Sequence, residues 1–280
     1  MQVPASEQLS PWLCDTPAVS QCRSLHIFVS YCRFLGHRVA WLGWELDRTF
    51  LLSCYDSAVT DRFKRGRFIT IEGLDGCGKS TQLNRLADSL RREGLDVVVT
   101  REPGGTPIGE RIRAVLLDSR TRGLSPWAEL ALMFASRAQQ IDELVLPALE
   151  SGKWVLCDRF TDSSEAYQGG GRQLGNEPIL DLHRVLCRGL QPDMTIFMDS
   201  DVAHSVNRAR RRNQQAANSN EPDENRFEQE SRAFFERVYS AYLAIARRDS
   251  QRVFVVDARR PADVVEKEIF AEVHRRLITS

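Results

Sequence analysis

A charge excess of either sign is the first thing this chain lacks. Its 38 Lys and Arg balance 38 Asp and Glu, a formal net charge of +0 at pH 7. That gives no electrostatic reason to expect a nucleic-acid polymer or an anionic membrane as partner, so any affinity for phosphate has to be local. Long apolar runs are missing as well. The most apolar stretch, 25–46, carries Arg33, His37, Arg38 and Glu45 and does not qualify as a membrane span. The amino terminus has neither the basic nor the apolar region of a secretory signal. Seven cysteines, at 14, 22, 32, 54, 77, 157 and 187, form no CxxC pair and no metal-ligand spacing, which reads as reduced thiols in a cytoplasm. Methionine is absent between Met1 and Met133, and lysine is scarce, four residues against 34 arginines.

One of those four lysines stands in Gly73-Leu74-Asp75-Gly76-Cys77-Gly78-Lys79-Ser80, between an apolar run at 68–71 and a helical pattern that begins at Thr81. The match is to G-x-x-x-x-G-K-[ST], a loop whose backbone N–H groups cradle a phosphate chain. The helix that follows adds its positive end, the lysine reaches the outer phosphates and the Ser80 hydroxyl is placed to ligate Mg2+. The residues 73–81 are therefore the expected ATP site.

From residue 67 onward, strand-like runs at 68–71, 97–100, 154–157, 195–198 and 253–256 alternate with helical spacing at 81–93, 127–150, 179–188, 228–248 and 262–277. Strands buried on both faces and alternating with helices mean an α/β parallel sheet, with catalytic groups gathered at the carboxyl ends of the strands. Residues 1–66 do not join this alternation. They hold four of the seven cysteines and three of the five tryptophans, and have two readings: an appended domain or partner-binding helix about 25–46, or upstream sequence if translation starts at a non-Met codon such as that for Val59. Residues 213–224, polar and free of aromatics, are expected to form a mobile surface segment beside an Arg-dense helix end, which suits a closing lid.

A phosphate loop alone does not name a reaction. No Asn-Lys pair exists for the guanine-reading loop of a signalling GTPase, and no Asp-x-x-Gly switch with a water-positioning Gln is evident. Transfer to a small acceptor is thus preferred over regulated hydrolysis. Residues 100–106 (Thr-Arg-Glu-Pro-Gly-Gly-Thr) join a charged pair to a rigid bend and two permissive glycines, a loop able to bring Arg101 close to a phosphate ester, or a plain βα turn. The strand at 154–157 runs into Asp158-Arg159. An Asp there faces the phosphate loop and can organise Mg2+ through water, while Arg159 presents a fork suited to a phosphate monoester. A buried ion pair steadying the loop is the alternative, and both can hold. Phe134 and Arg137 lie three apart on one helix face, where an aromatic beside an Arg can stack a base and donate to its carbonyl oxygens, although a lone helical Phe is more often core.

Taken together, GLDGCGKST, TREPGG, FASRAQ, CDRFTDSSEAYQGGGR, QPDMTIFMD and the Arg-dense stretch ending in NRFEQES resemble the bacterial thymidylate kinase family in order and spacing, over residues 66–277. The resemblance implies a P-loop nucleoside monophosphate kinase fold, a parallel five-stranded sheet flanked by helices, with a lid at about 207–227. It implies transfer from ATP to dTMP with Mg2+, in the cytoplasm, by a homodimer formed through the helix that holds Phe134 and its neighbours. Carried over residue by residue, Lys79 and Ser80 hold ATP and Mg2+, with Asp158 beside the metal. Asp75 contacts the acceptor sugar and helps position its phosphate, and Arg159 binds that phosphate. Phe134 and Arg137 take the thymine, and Arg101, Ser164, Tyr167 and Gln168 complete the acceptor site, the Tyr167 ring disfavouring a 2′-hydroxyl. Some members carry an Arg inside the phosphate loop where this chain has Gly76, so the transferred charge is expected to be met from the lid, as in the family's lid-arginine subgroup. Of Arg208, Arg210, Arg211, Arg212 and Arg226, Arg210 and Arg226 are the two singled out as catalytic. Two alternatives stand: a kinase of another deoxynucleoside monophosphate, such as dUMP, or a non-catalytic nucleotide-binding protein in which residues 1–66 act on a partner. The joint presence of Asp75, Lys79, Ser80, Asp158 and Arg159 argues against the second.

Overall fold

Five short apolar runs do form five strands, each carried about one residue further than the sequence pattern alone shows. A computed structural model describes residues 65–121, 123–216 and 224–279, and of 212–216 it describes the backbone only. The readings made for residues 1–64 lie outside the described residues. The strands are β1 (Phe68–Glu72), β2 (Val97–Arg101), β3 (Trp154–Asp158), β4 (Met194–Asp199) and β5 (Val253–Asp257). They pair in parallel in the order β2-β3-β1-β4-β5. β1 is buried along its whole length, whereas the edge strands expose residues such as Val255. This follows from the order, because a central strand in a parallel sheet is covered by helices on both faces.

The helices are α1 (Lys79–Arg92), α2 (Pro107–Leu117), α3 (Pro126–Gln140), α4 (Leu146–Glu150), α5 (Thr161–Ser164), α6 (Glu177–Leu186), α7 (Val202–Ala216), α8 (Arg232–Arg248) and α9 (Ala262–Val273). The single helix expected over 127–150 is α3 and α4 joined through a wider π-helical turn at Ile141–Val145. Helix α2 has no counterpart in the sequence reading. Its start signal is nonetheless regular: Thr106 caps it by accepting from the Gly109 N–H at 3.0 Å, and Pro107 follows at the first helical position. Of the segment 213–224, expected to be a mobile surface segment, the described part is helical to Ala216, and Glu224 at its far end accepts from Arg113 at 2.6 and 2.7 Å. Nothing in Asn-Gln-Gln-Ala stops a helix; the first breaker is Pro222.

Among the described residues, three buried clusters hold the layers together. One, including Ile69, Ile71, Leu86, Leu156 and Ile196, joins the sheet to α1 and α9. A second, including Phe197, Phe234, Val238 and Tyr242, seats α8, and a third, with Phe68, Phe134, Phe160 and Ile179, seats α3 and α6. The chain crosses from β1 to β2 on one side and from β3 to β4 on the other, so the order reverses between β1 and β3, where ligands bind in open α/β sheets. The loops after β1 and β3 are those of Asp75 and Arg159. Among the described residues no helix is long and apolar enough to cross a membrane, and Cys77, Cys157 and Cys187 are free and buried.

Candidate active site

The phosphate loop leaves β1 at Glu72 and enters α1 at Lys79, with Gly73, Gly76 and Gly78 all at positive φ. Helix α1 has no side-chain cap and no acidic residue in its first turn, which leaves its N-terminal N–H groups and positive end for an anion. Lys79 is buried and folds over the loop, its Nζ donating to the carbonyls of Gly73 (3.2 Å) and Leu74 (3.0 Å) and lying 3.6 Å from Asp75 Oδ1. Ser80 Oγ donates to Asp158 Oδ2 at 3.2 Å, and the other carboxylate oxygen, Oδ1, is buried without a hydrogen-bond partner among the described residues. A hydroxyl and a half-satisfied carboxylate fit a hard cation that keeps most of its ligands as water and phosphate oxygen.

Arg159 leaves β3 in the left-handed region, φ 75, and turns back across the β1 loop. Its Nη2 reaches Asp75 Oδ1 (2.7 Å) and the Tyr167 hydroxyl (3.1 Å), while Nη1 reaches the hydroxyls of Ser163 (2.9 Å) and Tyr242 (3.1 Å). Burial works to raise the Asp75 carboxyl, but the Arg159 guanidinium and the Lys79 ammonium outweigh it and hold it well below the usual carboxylate range. Tyr167 donates to Asp75 Oδ2 at 3.0 Å, and its ring meets Phe227, Phe234 and Tyr242 edge-on.

A second pocket opens beside this group, lined among others by Asp75, Pro103, Met133, Arg137, Ser164, Tyr167, Gln168 and Phe227. Its floor is Arg137, buried on α3, whose Nε meets Glu102 Oε2 at 2.5 Å and whose Nη2 donates to Phe160 O (3.1 Å) and Ser164 Oγ (3.0 Å). Nη1 has no hydrogen-bond partner among the described residues. The motif at 100–106 and the helix motif of Phe134 and Arg137 thus hold each other: Ser136 Oγ accepts from Gly104 N at 3.0 Å, and Gln140 Nε2 bonds the Arg101 and Gly104 carbonyls at 2.8 and 3.0 Å. Phe134 is fully buried with the Arg137 guanidinium 4.6 Å over its ring, so it backs the arginine and does not line the pocket. Replacing Glu102 with Ala strands that arginine as a buried unpaired charge. The expected loss, about 3–5 kcal/mol of unfolding free energy, is checked by urea denaturation.

The two lid arginines singled out from the sequence do not line the phosphate-loop pocket. Arg210 is exposed and donates to the carbonyls of Glu228 (2.9 Å) and Glu230 (3.1 Å). Arg226 pairs with the fully buried Glu129 at 2.8 Å, bonds the Leu116 carbonyl and lies 4.4 Å over the Phe227 ring. Lining the pocket of Lys79, Ser80, Asp158 and Arg159 instead are Arg208 and Arg211, together with Arg101 and Arg113. Helical geometry gives the reason: positions 208 and 211 share a face of α7, and 210 is two residues round from 208. Arg101 is half-exposed and paired with Glu110 at 3.1 Å. The side chain of Arg212 lies outside the described residues.

Gly76 explains why α7 can reach the loop at all. A Cβ there would lie 2.3 Å from the Ser205 carbonyl oxygen and 2.9 Å from the Ala209 nitrogen. The lid helix therefore packs its backbone directly on the phosphate loop, and Arg208, one turn beyond Ser205, is carried to the pocket. A glycine also governs the far wall, where a Cβ on Gly171 would meet the Phe234 ring at 2.5 Å and push α8 off the π-helical turn Glu165–Gly171. The sequence reading passed over Glu72, Arg113, Glu129 and Tyr242. Glu129 looks like an ordinary first-turn acid of α3, yet it accepts from Gln168 (2.8 Å), Arg172 and Arg226 and ties the pocket wall to the return of the lid.

A parallel sheet in this order, a phosphate loop leaving its central strand, a second pocket beside that loop and arginines of α7 lining the first define a P-loop nucleoside monophosphate kinase fold. The family model for thymidylate kinase matches residues 71–269. The thymidylate kinase of Alkalilimnicola ehrlichii is 50% identical over 201 residues, 72% of this chain and 89% of that one. That of Thiobacillus denitrificans is 48% identical over 204 residues, 73% and 94% of the two chains. A crystal structure of thymidylate kinase from Ehrlichia chaffeensis superposes with a TM-score of 0.59 at 30% identity, covering 75% of this chain and 99% of that one. The chain belongs to the thymidylate kinase family.

Proposed function

We propose that this chain transfers the γ-phosphoryl group of ATP to the phosphate of dTMP, giving ADP and dTDP, with Mg2+ held by Ser80 and Asp158. The observation that carries the reading is that two pockets share one wall: Asp75 and Arg159 border both the phosphate-loop pocket and the pocket floored by Arg137. A nucleoside monophosphate whose base reaches Arg137 has its phosphate against Arg159, facing the γ-phosphate over Lys79. The unpartnered Nη1 of Arg137 offers the base a donor for a carbonyl oxygen, and Pro103 and Met133 offer apolar contact on the same wall. Tyr167, fixed by Asp75 and Arg159, closes the sugar side. Mg2+, once held by Ser80 and Asp158, would supply positive charge against the phosphates.

The nucleophile is already an anionic phosphate oxygen, so no protein base is needed; the work is alignment and the spreading of positive charge. Asp75, held ionised by Arg159 and Lys79, accepts from the sugar hydroxyl. Arg208 and Arg211 take the lid-arginine role in place of Arg210 and Arg226. Closure of α7 excludes water from the γ-phosphate. A homodimer is part of the same proposal, and its surface is the outer side of α3 and α6, where Trp127, Leu180 and Val185 are exposed while the Phe134 face of α3 is spent in the core.

Arg159→Ala is the direct test. It is expected to cut kcat/KM for dTMP by about 10^2-fold or more, the effect of removing one preorganised charge-assisted contact, and to leave the ATP dissociation constant within twofold. Steady-state kinetics over dTMP, dUMP, dCMP and dAMP, beside ATP titration calorimetry, decides it. Equal loss of affinity for both nucleotides would show that Arg159 only holds the loops together, and a preference for another monophosphate would move the base assignment.

A further inference from the structure

Glu72 closes an otherwise apolar strand and is fully buried, yet the reaction as described gives it no task. Its carboxylate collects three donors. Oε1 accepts from the Phe160 N–H at 2.7 Å, and Oε2 accepts from the Ser163 hydroxyl at 2.5 Å and the Tyr242 hydroxyl at 3.1 Å. Each of these points back at Arg159. Phe160 is the next residue in the chain, so the bond to its N–H pins the peptide that leaves Arg159 in its left-handed conformation. The two hydroxyl oxygens are the acceptors of Arg159 Nη1. A hydroxyl has one hydrogen, and spending it on Glu72, directly or through the 2.8 Å contact between Ser163 and Tyr242, leaves lone pairs facing the guanidinium.

The geometry points to Glu72 as a positioning residue for Arg159, acting through a two-hydroxyl relay and the Phe160 peptide to hold the guanidinium at the acceptor phosphate. This rests on the assignment of Arg159 to that phosphate. The charged and titratable groups around Glu72 are Arg159, Asp162, Arg137, Cys157 and Tyr242, and Asp162 is itself held by Arg252 at 2.8 and 3.0 Å. Burial first and Asp162 second push the Glu72 carboxyl up to about 7, against Arg159 and the bonds from Ser163 and Phe160. Only the ionised form accepts from all three donors. A proton on Oε2 would turn that oxygen from acceptor to donor and reverse the relay, and Glu72→Gln has the shape of that neutral state.

The test is the kinetics of dTMP phosphorylation and ATP titration for wild type, Glu72→Gln, Tyr242→Phe, the double variant and Arg159→Ala. Glu72→Gln is expected to lower kcat/KM for dTMP about tenfold, the loss typical of a buried charge-assisted bond, with the ATP dissociation constant within twofold. Tyr242→Phe is expected to lower it several-fold, and the double variant no further than Glu72→Gln alone, because both act through one relay. Unchanged use of dTMP by Glu72→Gln, or losses that multiply in the double variant, would overturn the inference while a damaged Arg159→Ala leaves the phosphate assignment standing. An unaffected Arg159→Ala would overturn both. Should Glu72→Gln not fold, Ser163→Ala with Tyr242→Phe cuts the relay and keeps the bond to Phe160; a loss in dTMP use at constant ATP affinity supports the relay, and no loss refutes it.

Discussion

Lys79→Ala is expected to lower kcat by at least about 10^2-fold, as removal of one preorganised charge from a phosphoryl-transfer site does. The side chain is buried but belongs to none of the apolar clusters; its Nζ rests on the Gly73 and Leu74 carbonyls and beside Asp75. Those contacts place the ammonium inside the loop's cradle, where the proposed ATP would have its outer phosphates. The unfolding midpoint should therefore move little while the chemical step collapses. Single-turnover transfer with both nucleotides saturating isolates that step, and a variant retaining more than half the wild-type rate would remove the phosphate role from the loop.

Neutralising the lid face has the larger expected effect. Arg208→Ala combined with Arg211→Ala should slow transfer by about 10^3-fold, the order seen when an arginine is withheld from a transferring phosphoryl group. Both line the pocket of Lys79 and Asp158, and with Gly76 in the loop there is no loop arginine to replace them. Arg210→Ala, on the other face of α7, should stay within about threefold of wild type, since its bonds to the Glu228 and Glu230 carbonyls are exposed contacts of small worth. Pre-steady-state rates of the three variants at saturating ATP and dTMP provide the comparison. An inert double variant beside a crippled Arg210→Ala would return the catalytic role to Arg210. Because the charge is met only as the transition state forms, kcat should fall more than either affinity.

Much of the active centre was legible because its chemistry is local in sequence. The phosphate loop is eight consecutive residues, and the Asp158-Arg159 pair is a strand end whose register is set by the apolar run before it. The structure places Lys79, Ser80, Asp158 and Arg159 on one pocket, with Asp75, Arg137, Ser164, Tyr167 and Gln168 around its neighbour. Glu72, Glu129 and Tyr242 were not legible. Each is a single polar residue in an apolar or helical context, and its partners lie 39 to 170 positions away. Which lid arginines line the pocket was not legible for a related reason. An Arg at every position but one from 208 to 212 carries no phase, so only the docking of α7 on Gly76 decides which face lines the pocket.

By itself the sequence determined the alternation of strand and helix, the phosphate loop and most of the residue types that the two pockets bring together, since periodicity and glycine placement act over a few neighbouring residues. The strand order was settled only in the folded chain, because the edge strands Val97–Arg101 and Val253–Asp257 read as apolar as the buried ones. So were the partners of Phe134 and Arg226, one backing Arg137 and the other bound to buried Glu129. Which face of a helix turns inward, and which carboxylate a guanidinium finds, depends on the packing of elements distant in sequence, where burial makes an unpaired charge too costly to leave.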